Sequence, residues 1–155
     1  MSYPISWARR WPDPADCNWK VRPIDFVVEE LWQPPNSQAD TSDAGEHTLL
    51  WVEKMEQNTQ WVARQLARFA GVRDMDIGYH GLKDRAAVTR QWFSVYFGNR
   101  KVPDWSGFQS TGVKLLKLSK GPRKLRRGEH AGNRFRVTLS EINGDRQVIV
   151  EKLKL

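Results

Sequence analysis

The chain has 155 residues, enough for one domain with a real core, and a net charge of +7. Hydrophobic residues make up 39% and charged residues 28%, a balance that excludes intrinsic disorder and reads as soluble and globular. No apolar run is long enough for a membrane helix, and the single cysteine, Cys17, excludes an internal disulfide and a cysteine-based zinc site.

A sequence pI near 9.8 points to an anionic partner, for which nucleic acid is the usual choice; a merely basic surface is the alternative. Eight tryptophans serve a core or an interface, and flat rings beside cations also stack on unpaired bases. The first ten residues lack the apolar centre of a signal peptide, and the lone thiol fits a reducing, cytoplasmic compartment.

Residues 1–20 read as irregular, broken by Pro4, Pro12 and Pro14. Phe26 to Leu31 is short, apolar and β-branched, which predicts a strand. Residues 33–46 are polar and rich in proline, aspartate and serine, and predict a surface loop. His47 to Met55 is the second strand, with Leu49, Trp51 and Met55 on one face. Asn58 and Thr59 open a helix over about Thr59–Ala70, whose apolar face is Val62, Leu66, Phe69 and Ala70 and whose stop is Gly71.

Asp76 to His80 forms a short strand leading into Gly81-Leu82-Lys83-Asp84-Arg85. Asp84 then sits in a loop at a strand end, between two cations, a setting that favours its charged form and suits a nucleophile or an electrostatic stabiliser. A solvated turn is the commoner role for such a triplet. Trp92 to Phe97 is a strongly β run, Gly98 to Gly112 a loop, and Val113 to Leu118 another strand.

The segment from Arg123 to Arg127 carries four cations in five residues: Arg123, Lys124, Arg126 and Arg127. It reads equally as a phosphate contact or as a solvated basic loop. Asn133 to Leu139 alternates, with Phe135, Val137 and Leu139 on one face; this pattern puts Phe135 in the core and makes Asn133 a strand-edge residue or a reader of a base edge. Arg146 to Leu155 has helical spacing with Asp145 as its cap. His47, His80 and His130 have no metal-ligand spacing, so no metal site is expected. Strands outnumber helices, and the expected class is α+β, with a mixed, mainly antiparallel sheet and packed helices.

Four stretches, taken together, resemble the TruD family, the tRNA pseudouridine-13 synthases. They are Lys20 to Glu29, then Gly45-Glu46-His47 with Asn58-Thr59, then Gly81 to Trp92, then Arg123 to Gly128 with Gly132-Asn133-Arg134-Phe135. Ile24 stands where the family usually has glutamate, and Ser140 where it commonly has arginine.

The resemblance implies isomerisation of a specific uridine in transfer RNA to pseudouridine, with Asp84 catalytic and no cofactor. It implies that Phe135, Asn133, Lys83, Arg85 and Lys20 bind the substrate uridine and that Arg123, Lys124, Arg126 and Arg127 hold the RNA backbone. Family members are more than twice as long. Residues 1–155 would then be the N-terminal portion of the catalytic domain, without its inserted domain and C-terminal half. A complementary C-terminal chain, or otherwise a monomer, and a non-catalytic RNA-binding remnant follow as the alternatives.

Overall fold

The computed structural model describes residues 18–34 and 46–153. Cys17, residues 1–17 of the stretch read as irregular, and most of the loop predicted over 33–46 lie outside the described residues. The elements in chain order are β1 (Asn18–Trp19), β2 (Phe26–Leu31), β3 (His47–Met55), α1 (Thr59–Ala70), β4 (Ile77–Tyr79), β5 (Val88–Tyr96), β6 (Val113–Gly121), β7 (Gly132–Val137), β8 (Leu139–Ser140) and α2 (Arg146–Leu153). The bounds of β2, β3 and α1 agree with the sequence reading.

Six strands form one sheet in the order β6-β3-β5-β2-β7, with β4 paired to β5 beside β2. Every described pairing is antiparallel except β2 with β5. The α+β, mainly antiparallel expectation therefore holds. One edge of β5 carries β3 along its whole length. The other edge is shared: β2 pairs parallel with Val88 to Arg90, and β4 pairs antiparallel with Phe93 to Val95. Where β2 and β4 part company, a seam opens in the middle of the sheet.

α1 covers one face of the sheet. Val62, Leu66 and Ala70 pack on Leu50 and Val52 of β3, Phe93 and Val95 of β5, and Ile77 of β4. Gly71 ends the helix at φ 65°, a left-handed conformation that costs glycine nothing. The core face of β3 thus belongs to Leu50, Val52 and Lys54, whereas Leu49 and Trp51 look the other way and Met55 is exposed.

On that second face Leu49, Trp51, Trp92 and Trp32 meet Leu125, which the basic loop between β6 and β7 lays across the sheet. The loop approaches β4 closely: a β-carbon on Gly78 would lie 2.5 Å from the Leu125 carbonyl oxygen and 2.5 Å from Ser94 Oγ. Only a glycine fits there without displacing the loop.

Three predicted strands have other bounds than expected. β5 begins at Val88 and not at Trp92, because β2 and β3 both pair with it there. β6 runs on to Gly121 because β3 offers it partners as far as His47. The strand predicted over Asn133 to Leu139 breaks after Val137. The Thr138 N–H turns to the Asp25 carbonyl, and Leu139–Ser140 leaves the main sheet to pair with Asn18–Trp19. α2 has the expected cap, with the Gln147 N–H donating to Asp145 Oδ1 at 2.7 Å.

β2 and β4 are both launched by the same device. In Arg22-Pro23-Ile24-Asp25 and Arg73-Asp74-Met75-Asp76, a single 3-10 turn places an aspartate where it accepts the arginine backbone N–H and its guanidinium. The guanidinium hydrogen bond is the main reason that the Asp76 carboxyl titrates below its usual value, against the opposing effect of burial. A carboxylate with a lowered folded pKa stabilises the fold above its unfolded pKa, and that contribution is lost as pH falls through the folded value. Asp76→Asn is expected to lower the thermal midpoint by a few degrees at pH 7, and the gap to the parent should close as the scans are repeated at progressively lower pH.

Candidate active site

The loop of residues 80–87 leaves β4 at the seam and returns as β5. Its three charged residues go three separate ways. The Lys83 side chain, 4% exposed, turns inward and its Nζ lies 3.4 Å from Glu30 Oε2. The Asp84 side chain, 55% exposed, turns outward and meets Lys20 Nζ at 3.5 Å. Arg85 donates from Nε to the Glu56 carbonyl at 3.3 Å. The two cations that flank Asp84 in sequence are therefore not its ion-pair partners. Successive side chains of an extended loop point in different directions, and the counter-ion comes from Lys20, far away in sequence. For the same reason, Lys83 is a buried structural cation and not a surface group for substrate.

Lys20 carries a positive φ of 57°, an uncommon conformation for a lysine that costs about 1 kcal/mol. It directs the ammonium over the Phe26 ring, 4.5 Å from its centroid, while the same group reaches Asp84. Phe26 in turn lies against Phe135, with ring centroids 6.0 Å apart and planes 20° apart. Phe135 is 59% exposed. The pattern-based placement of Phe135 in the core is thus overturned. β7 is the outer strand, and α1, which covers β3, β4 and β5, does not cover it. Asp84, Lys20, Phe26 and Phe135 make a continuous patch: a carboxylate with its ammonium, beside an open aromatic face.

Behind the patch lies a buried polar cluster. Glu30 and His80 are both 0% exposed, and His80 Nδ1 lies 2.9 Å from Glu30 Oε1. Glu30 Oε1 also accepts the Trp92 backbone N–H at 3.3 Å, a group inside the seam between the two strands that share the β5 edge. Trp32 stands edge-on to the His80 ring, and His130 stacks on it at 5.9 Å. Burial is the first cause of a lowered His130 pKa, and the Lys83 ammonium adds to it. Asn133 joins by donating from Nδ2 to His130 Nε2 at 3.4 Å, and its Oδ1 is buried with no hydrogen-bond partner among the described residues. Asn133 lies opposite Glu30, and Phe135 opposite Val28, so the cluster and the aromatic face share one side of the sheet.

The loop backbone is tied from below. The Thr59 hydroxyl, at the start of α1, donates to Gln91 Oε1 at 3.1 Å and accepts the Lys83 N–H at 3.0 Å. Gln91 Nε2 donates to the Gly81 carbonyl at 3.1 Å. Lys54, with 0% exposure, donates to the Asp84 carbonyl at 2.7 Å and the Lys83 carbonyl at 3.4 Å.

Reading the sequence finds Asp84, Lys20, Asn133 and Phe135 but misses Phe26, Glu30, Lys54, Thr59, His80 and Gln91 as parts of the site. A signal existed for two of them. Glu29 and Glu30 are adjacent in a strand, so one must face inward, and Lys54 falls in step with Leu50 and Val52.

The basic loop divides. Arg123 Nη1 bonds both Glu129 carboxylate oxygens at 2.7 Å, and Lys124 Nζ donates to the Met75 carbonyl at 2.6 Å. Arg123 holds the loop's own shape, and Lys124 ties the loop to the turn before β4. Arg126 and Arg127 are exposed, and their side chains make no hydrogen bond or ion pair among the described residues. The Gly128 N–H donates to the His80 carbonyl at 2.8 Å, which ties this loop to the Asp84 loop.

A family model described as tRNA pseudouridine synthase D (TruD) matches residues 12–154. A tRNA pseudouridine synthase D of Cellvibrio japonicus is 44% identical over 143 residues, covering 90% of this chain and 41% of that protein. One of Nitrosococcus oceani is 46% identical over 144 residues, covering 92% of this chain and 38% of the relative. The chain thus spans about two fifths of the length of the curated relatives it matches. A Methanosarcina mazei crystal structure described as a TruD protein superimposes with a TM-score of 0.72 at 23% identity, over 89% of this chain and 30% of that one. That likeness shows the fold.

The cluster geometry makes Glu30 the least replaceable residue of the scaffold. Glu30→Gln leaves the Lys83 ammonium buried without its carboxylate, and a loss of about 3 kcal/mol is expected in urea denaturation. A cost within about 0.5 kcal/mol, as for an exposed surface change, would contradict this placement.

Proposed function

The chain belongs to the TruD family, and from that membership we propose that it carries the reacting carboxylate and the base-stacking surface for converting a specific uridine of transfer RNA to pseudouridine. The observation that carries this reading is the joint exposure of Asp84 and Phe135 on one patch, connected through Lys20 and Phe26.

The isomerisation breaks the bond between ribose C1′ and uracil N1, turns the base, and joins C1′ to C5. The C5 proton is lost and N1 gains one. Atoms and electrons balance within the substrate, so no cofactor enters the reading. Asp84 serves by attacking an electrophilic nucleoside carbon or by stabilising cationic character at the sugar, as carboxylates do in glycoside cleavage. Lys20 holds the carboxylate in place. Phe135 offers its exposed face to a uracil extruded from its stack, and the Asn133 amide orients the base or the chain around it. Arg126 and Arg127 contact RNA phosphates, with Arg123 and Lys124 shaping their loop. Arg85, exposed beside Asp84, adds positive potential at the rim.

On this reading the protein works in the cytoplasm on transfer RNA, and residues 1–155 form the N-terminal portion of a catalytic domain. Among the described residues no helix is long and apolar enough to cross a membrane. A second reading is a chain that binds transfer RNA and needs a complementary C-terminal portion, supplied by another chain, for turnover. The observation that favours it is that Asp84 and Phe135 are both more than half exposed, whereas charge chemistry at a sugar gains from excluding water. Without such a chain, a monomer is expected.

Carbodiimide primer extension on transfer RNA, read in single turnover, tests the first reading. Asp84→Asn is expected to abolish pseudouridine formation while the Kd for transfer RNA stays within about twofold; equal activity of variant and parent would sink the assignment. Binding without turnover by the parent chain would favour the second reading. For the phosphate contacts, the double change Arg126→Ala with Arg127→Ala should weaken transfer RNA binding and flatten its log–log salt dependence by about two units. An unchanged slope would remove these arginines from the interface.

A further inference from the structure

Among the described residues Lys54 is the one lysine buried as a whole residue, and it stands at a position that period and packing assign to the core. It shares the α1 face of β3 with Leu50 and Val52, and lies opposite Thr89 of β5. A methionine there would fill the same stem volume and bury no charge. Core packing therefore gives no reason for the ammonium. Its contacts do: Nζ reaches the carbonyls of Lys83 and Asp84, the two residues whose side chains must part company, one inward to Glu30 and one outward to Lys20.

We propose that Lys54 is the positioning residue for Asp84, fixing the direction of its carboxylate by gripping the loop backbone from inside the core. This rests on the reading of Asp84 as the reacting carboxylate. With both carbonyls pinned by one ammonium, the peptide between Lys83 and Asp84 cannot rotate without breaking charge-assisted hydrogen bonds. The Lys83 N–H bond to Thr59 and the Gly81 carbonyl bond to Gln91 hold the two preceding turns of chain. Lys54 is the only member of this set that acts on Asp84 itself. The Asp84 carboxylate also attracts the Lys54 ammonium, as it does that of Lys20.

The Lys54 pKa is lowered to about 8, chiefly by burial, with Asp84 opposing the shift and the Lys83 ammonium adding to it. The charged groups facing it are those two; α1 presents Thr59, and β5 presents Thr89 and Gln91, none of which titrates. The grip is thus strongest with Lys54 charged, below that value, and weakens as pH rises through it.

The test compares the parent chain with Lys54→Met by amide hydrogen exchange and by single-turnover pseudouridine formation on transfer RNA. The expected result is at least tenfold faster exchange at Lys83 and Ala87, with α1 and β5 amides unchanged. Turnover should fall at least tenfold at a transfer RNA Kd within twofold. Unchanged loop exchange would overturn the proposal, as would faster exchange with undiminished turnover. A parent without turnover counts against the function proposed above, and the exchange comparison then decides for or against Lys54 by itself. Should Lys54→Met not fold, the parent alone decides. The ratio of exchange at Lys83 to that in α1 should rise between pH 7 and 9, and a constant ratio would overturn the idea.

Discussion

Glu30 is a carboxylate with no exposure to water at the point where two strands share one edge of β5. Such a charge is tolerable inside a protein only when paired and hydrogen-bonded. Each of its partners does a second job. The Trp92 N–H closes the seam, His80 ends β4, and Lys83 begins the turn toward Asp84. Once Lys83 is drawn inward, its successor must face out. The exposure of Asp84 is therefore a consequence of the burial of Glu30, and the site is built on an electrostatic debt settled in the core.

The fold and the site also share parts on the α1 side. Thr59 is the first residue of the helix and a brace for the loop. Gln91 is buried beside Phe93 on the core face of β5 and still reaches the Gly81 carbonyl. The core face of the sheet is apolar under the body of α1 and becomes polar toward its N-terminal end, where Lys54, Thr59, Thr89 and Gln91 gather. Hydrophobic packing fixes the sheet and helix, and this polar margin transmits their rigidity to a loop that has no regular structure of its own.

The regular elements were legible because their signals are local. The short β-branched run of β2, period two in β3, the Asn58-Thr59 opening and the Gly71 stop mark those elements within a residue. The site was legible only in part. Asp84 and Phe135 stand out by family resemblance, yet no local pattern connects Lys20 to Asp84, because the contact depends on a parallel pairing of β2 with β5. Phe135 was misread by its periodicity, which reports which residues share a face and is silent on whether anything covers that face. Lys54 and Glu30 carry a signal only in their strand register, against the general tendency of charged residues to face water; here the interior is where they act.

The parallel pairing of β2 with β5 has a consequence for how the molecule forms. β3, α1, β4 and β5 follow one another closely in the chain and can assemble through short-range contacts. β2 joins β5 across the whole of that unit, and β7 joins β2 from the far side of β6. Such closures carry the largest loop-entropy cost and come late in folding. Asp84 belongs to the early unit, Lys20 and Phe26 to the strand that closes onto it, and Phe135 to the strand that closes last. The carboxylate thus acquires its counter-ion and its aromatic neighbour in the final steps of assembly, and a chain stalled before them would hold most of its core and an Asp84 with neither.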